Sequence, residues 1–99
     1  MYILVNEQLT KSQRIPQASH AVAEYVFENC EDVDLVDWIK NDRTMVVLQC
    51  NDERMKILSW GLRSTCFFDE DLDNMLTAVA FQPMTKEQGN KYFSKMRLA

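Results

Sequence analysis

The chain's one histidine, His20, follows a polar and cationic stretch: Lys11 and Arg14 lie upstream, and Gln17 and Ser19 come within three residues of it. An imidazole exchanges protons near neutral pH, so a histidine in such company can orient or deprotonate a water molecule. From Lys11 to His20 there are two bases and no acid. Pro16 suits the first turn of a helix, where its missing N–H is not needed. The spacing therefore predicts a helix opening at Pro16, with His20 in its second turn. Free backbone N–H groups at a helix start favour an anion, which makes Lys11, Arg14, Gln17 and Ser19 the candidate binding residues around His20. On a helical wheel His20 falls opposite Ala18, Val22 and Tyr25, away from the core stripe. The competing reading is a surface histidine paired with Glu24 one turn on.

A second concentration of chemistry-bearing side chains is the acidic run Asp69, Glu70, Asp71 and Asp73. A calcium loop beginning at Asp69 would need glycine at its sixth position and glutamate at its twelfth, where Asn74 and Ala80 stand. The run is read as a solvated turn, and neither a metal nor a cofactor is assigned. Trp38, Trp60, Tyr92 and Phe93 are able to stack on bases, but both tryptophans adjoin apolar stripes and read as core edge.

These groups need elements to position them. Tyr2–Asn6 is a short apolar, β-branched run and reads as a buried strand. Ala18, Ala21, Val22, Tyr25 and Val26 recur at helical spacing behind it. Asp32 or Asp34 can cap a short second helix carrying Leu35, Val36, Trp38 and Ile39. Thr44–Cys50 is a strand, and a third helix follows from about Asp52, with Met55, Leu58 and Leu62 on one face and Gly61 near its end. Cys66–Phe68 and Met75–Phe81 are strand-like on either side of the acidic turn. Thr85 and Gln88 form a capping-box pair opening a last helix with Tyr92, Phe93 and Met96 on its apolar side. The expected order is β-α-α-β-α-β-β-α. Helical crossovers imply parallel strands and the tight Phe68–Met75 link an antiparallel pair, giving an α/β fold with a four-stranded mixed sheet and helices packed on it.

Ninety-nine residues, 46% of them apolar, fit a single domain spanning 1–99. No apolar run reaches the roughly 20 residues a membrane helix needs, and the opening Met1–Val5 is too short and lacks the basic start of a secretory signal. Cys30, Cys50 and Cys66 are odd in number and widely spaced, which argues against a disulfide framework and against zinc. A cytoplasmic setting is expected. The net charge of −4 is unevenly spread. Glu24 to Asp42 holds seven acids against Lys40 alone, whereas Lys86 to Arg97 holds four bases against Glu87. An anionic ligand would meet the two ends of the chain, and a basic protein its middle.

The stretch Ile15-Pro16-Gln17-Ala18-Ser19-His20-Ala21 resembles the Q-x-S-H-A signature that opens the first helix of type-2 peptidyl-tRNA hydrolases. Met45–Leu48 is similar to that family's second strand, Glu53–Leu62 to its third helix, Phe67-Phe68-Asp69 to the strand ending in a catalytic aspartate, and Thr77–Pro83 to its final strand. The resemblance implies hydrolysis of the ester joining a peptide to the 3′ ribose of tRNA, with His20 and Asp69 as the catalytic pair around the attacking water. It also implies a lysine in the first loop contacting phosphates. Lys11 or Arg14 stands in for the family's Gly-Lys, and Asp69-Glu70-Asp71-Leu72-Asp73 replaces its Asp-Ala-Gly-x-Thr. Two functions follow as expectations. One is a peptidyl-tRNA hydrolase-like enzyme. The other is a catalytically eroded binding module on the same scaffold, holding a nucleotide, an RNA end or a protein partner. No membrane partner is expected, and the small size suggests that a homodimer would add stability.

Overall fold

The computed structural model describes residues 1–99. Strands β1 (Tyr2–Asn6), β2 (Val46–Cys50), β3 (Ser64–Asp69) and β4 (Met75–Phe81) form one mixed sheet in the order β2-β1-β4-β3. β1 pairs parallel with β2, and β4 pairs antiparallel with both β1 and β3. Three strands thus run one way and β4 against them. The helices are α1 (Lys11–Glu28), α2 (Val33–Asp37), α3 (Asp52–Gly61) and α4 (Lys86–Phe93). The expected α/β class, mixed four-stranded sheet and element order are all present. The α3 crossover carries the chain past β1 and β4, so β3 is parallel to β2 in direction without being its neighbour. No helix is long and apolar enough to cross a membrane.

Apolar residues alternate along the sheet and so bury on both faces. On one side Ile3, Val5, Ala78 and Ala80 meet Ala18, Ala21 and Tyr25 of α1, with Leu35 and Trp38. On the other, Leu4, Leu48, Val79 and Phe81 meet Met55 of α3 and Phe93 of α4. Beyond α4 the chain turns back, and Gln49 N–H donates to the Arg97 carbonyl (2.9 Å) while Ala99 N–H donates to that of Val47 (3.0 Å). Residues 97–99 therefore cover the outer edge of β2. No helix but α1 spans more than ten residues, so it is the longest rigid element available to carry side chains across the sheet.

The start of α1 corrects the sequence reading. The helix opens at Lys11, not at Pro16, which lies inside it. Thr10 is the cap: its N–H donates to Gln13 Oε1 at 2.9 Å, the T-x-x-Q arrangement of a capping box. Pro16 is the sixth residue of the helix, so it gives up the bond that its N–H would have made to the Ser12 carbonyl, and its ring crowds that carbonyl. His20 accordingly sits in the third turn, remote from the unpaired N–H groups.

The core holds one unpartnered polar atom, the Tyr25 hydroxyl. Its pKa is pushed up to about 12, chiefly by burial and further by the Asp32 charge. A raised phenol pKa means that the unfolded chain ionises first, so the stability Tyr25 confers is intact below about pH 10 and is lost as pH climbs through about 12. Tyr25→Phe removes the orphaned hydroxyl. It should raise stability by about 1 kcal/mol in urea unfolding at neutral pH, and should flatten the alkaline fall in stability.

Candidate functional site

Where α1 crosses the edge strand β3, three pairs of side chains meet in succession. Gln17 Nε2 donates to Asp69 Oδ2 at 2.7 Å. One turn on, the His20 ring lies parallel to Phe67, with centroids 4.8 Å apart and planes 14° from coplanar. Farther along, Thr65 Oγ1 donates to Glu28 Oε1 at 2.6 Å. The helix and the strand run in opposite directions along this seam, and the face of α1 beside its core stripe is spent on β3.

Behind Gln17 stands Thr77, fully buried, whose hydroxyl donates to Gln17 Oε1 at 2.7 Å. Its orientation comes from a β-bulge. Phe67 pairs with Ala78 but Phe68 pairs with Leu76, leaving Thr77 as the extra residue. Leu76 and Val79 pack on the far side of the sheet and Ala78 on the α1 side. Regular alternation would send Thr77 away from α1, and the bulge turns it inward instead. Asn6, itself buried, holds the adjoining backbone by donating from Nδ2 to the Leu76 carbonyl at 3.0 Å.

Thr77, Gln17 and Asp69 thus form a directed chain, in which the Thr77 hydroxyl has the shorter of its two contacts with Gln17 and the longer, 3.2 Å, with the Phe67 carbonyl. The Thr77 hydroxyl fixes the Gln17 amide so that its NH₂ faces the carboxylate. Asp69 Oδ1 accepts the Asp71 N–H at 2.9 Å, closing a turn through Glu70–Leu72. Each carboxylate oxygen keeps a further lone pair for a water, and Gln17 keeps a second amide proton. His20 is exposed beside them, its ring held flat by Phe67.

The structure separates the remaining candidates from this group. Arg14 is buried, and its guanidinium donates from Nε to the Leu9 carbonyl (3.2 Å) and from Nη2 to that of Glu7 (3.0 Å). It ties the β1–α1 loop to the helix. Lys11 is exposed at the first helical position, nine residues before His20. That spacing is two and a half turns, so the two side chains leave opposite sides of the helix roughly 14 Å apart along its axis. Ser19 is exposed and bonds back to the Ile15 carbonyl at 2.9 Å. His20, Gln17 and Asp69 come together; Lys11, Arg14 and Ser19 point elsewhere.

The site is an open ledge. None of its residues lines any concavity of the molecule. The largest of these, about 660 Å³, lies between α4 and the start of the sheet, where Tyr2, Val46, Leu48 and Phe93 form its walls and Lys86 and Lys95 its charged rim. Nowhere do three His, Cys, Asp or Glu side chains gather as a metal ion would require. The chain matches no protein-family model and no curated protein. Its chemistry rests on the geometry alone.

Thr77 and Phe67 were not singled out by sequence reasoning. The available signal for Thr77 was a lone hydroxyl in the middle of the apolar run Met75–Phe81, because a buried hydroxyl needs a partner. The pairing of Phe67 with His20 left no signal at all, since it depends on the register between two elements.

Proposed function

We propose that the ledge at the α1–β3 seam is a hydrolytic site for an ester of peptide and tRNA, in the manner of type-2 peptidyl-tRNA hydrolases. The observation that carries the reading is the Thr77–Gln17–Asp69 chain beside His20. It supplies a carboxylate whose orientation is fixed from behind, a second amide proton on Gln17, and an imidazole within one helical turn. Ester hydrolysis needs a group to orient and deprotonate water and a donor facing the developing oxyanion. Asp69 with His20 meets the first need, and the remaining Gln17 amide proton the second. An open ledge suits a substrate as large as tRNA, whose reacting end is a single strand.

Release of peptide from a peptidyl-tRNA, measured against a buffer control, tests the reading. Turnover is expected, and it is expected to disappear in His20→Ala while the fold is kept, since His20 is exposed. No turnover at micromolar enzyme would remove the enzymatic reading.

A second reading, a binding module on the same scaffold, draws on Arg14. Its guanidinium serves the loop instead of a ligand, which leaves Lys11 as the cation on that side. A nucleotide or RNA end bound without turnover would raise the melting temperature in a salt-sensitive manner that Lys11→Ala abolishes.

A further inference from the structure

The two edges of the sheet are treated differently. The outer edge of β2 is covered by residues 97–99, whereas the outer edge of β3 has no backbone partner. The carbonyl of Arg63 accepts from Gln82 N–H, that of Asp69 accepts from Asn74 N–H, and Thr77 Oγ1 lies 3.2 Å from that of Phe67. The odd-numbered residues of β3 therefore direct their backbone groups toward β4, and Ser64, Cys66 and Phe68 direct theirs outward. No lysine and no proline lies within Ser64–Asp69 to guard this edge. Phe68 is 52% exposed.

We propose that a second copy of this chain docks antiparallel along β3, and that Arg63 of that copy completes the ledge. Two-fold symmetry and the outward set together select one register that uses the whole strand. Cys66 faces its counterpart, Ser64 faces Phe68, and each pair exchanges backbone bonds. In that register Thr65 faces Phe67 and Arg63 faces Asp69. Residues directly opposite share a face of the sheet, and both Arg63 and Asp69 are on the α1 side, since Arg63 reaches Asp32 (3.3 Å) ahead of α2 and Asp69 takes Gln17. The pairing is thus self-complementary in charge at both ends. The guanidinium has donors enough to keep Asp32 while reaching across.

The flank of α1 that overlooks β3 agrees with this. Pro16, Ala23 and Phe27 recur at helical spacing with His20, which stacks on Phe67 of β3, nearly half a turn from the core stripe. Phe27, at 83% exposed, is the most exposed of the large apolar side chains. The dimer's symmetry would bring the two flanks to face each other above the joined strands. The part given to Arg63 rests on the function proposed for the ledge; the docking itself does not. A cation opposite Asp69 would supply what Arg14, turned inward, does not: a phosphate contact beside the reacting bond.

Light scattering over a wide range of concentration is expected to show the mass rising from that of one chain to that of two. Phe27→Glu should keep it at one chain, with circular dichroism and melting temperature unchanged. In a Cys30→Ser background, mild oxidation should give a covalent dimer through Cys66. The facing Cα atoms would be about 5.5 Å apart, within disulfide reach. A single-chain mass at every concentration would overturn the proposal, as would a dimer indifferent to Phe27→Glu and not cross-linked through Cys66. In the hydrolysis assay Arg63→Gln should raise KM about tenfold with kcat held. An unchanged KM would overturn the role of Arg63 and leave the docking standing. If the wild type shows no hydrolysis, the mass and cross-linking results still decide the docking.

Discussion

On the proposed reading, Asp69→Asn is expected to lower hydrolysis of peptidyl-tRNA by about 10²–10⁴ in kcat with KM held. The substitution keeps the shape of the side chain and one oxygen for Gln17, so the α1–β3 seam stays closed, while its NH₂ turns on the Asp71 N–H and opens that exposed turn. It removes the negative charge and places an amide where a water would be held. Thr77→Val is the graded companion. Its hydroxyl never reaches the substrate, because it is fully buried behind Gln17. Without it, Gln17 Oε1 loses its donor, and the amide is held from one end only, by its bond to Asp69. A fall in kcat of about tenfold is expected, together with a loss of about 1–3 kcal/mol of stability for the unpaired buried acceptor. Full activity in Asp69→Asn would show that the carboxylate does not take part, and the reading of the ledge would fail with it.

The elements were legible because each is announced by local chemistry. β1 and β2 are runs of apolar and β-branched residues, α3 opens after Asn51, whose side chain accepts the Arg54 N–H at 2.8 Å, and α4 opens at the Thr85–Gln88 box. The same box stands at Thr10–Gln13, and the preference of Pro16 for a first turn drew the expected helix start five residues too late. That shift of five residues moved His20 off the helix mouth and Lys11 to the opposite side. Arg14 illustrates a different limit. A cation in a polar loop reads as a ligand contact, and nothing local reveals that the carbonyls of Glu7 and Leu9 will need donors once the loop folds back. Thr77 was hidden by the bulge, because period-2 alternation assigns it to the wrong face. The site was legible where it depends on a motif within one helix, as at Gln17 and His20, and illegible where it depends on register between β3 and β4.

Gly89→Ala should destabilise the fold by about 2 kcal/mol or more, measured as a lower urea midpoint with an unchanged slope. Gly89 is buried on α4, and a Cβ built there would fall within the Tyr2 ring, against Cε2, Cζ and the hydroxyl. The ring cannot swing clear cheaply. It is stacked on Phe93 with centroids 4.9 Å apart, and Phe93 in turn lies 5.0 Å from Phe81 in the core. Either α4 lifts from the sheet or three rings repack. Against this, alanine is a better helix former than glycine by about 1 kcal/mol, so overpacking worth about 3 kcal/mol leaves the net loss stated. Tyr2→Ala supplies the control. In a Tyr2→Ala background the obstruction is gone and only the helix preference remains, so Gly89→Ala should there become stabilising by up to about 1 kcal/mol. A destabilisation of equal size in both backgrounds would mean that something other than the Tyr2 ring keeps this position free of a side chain.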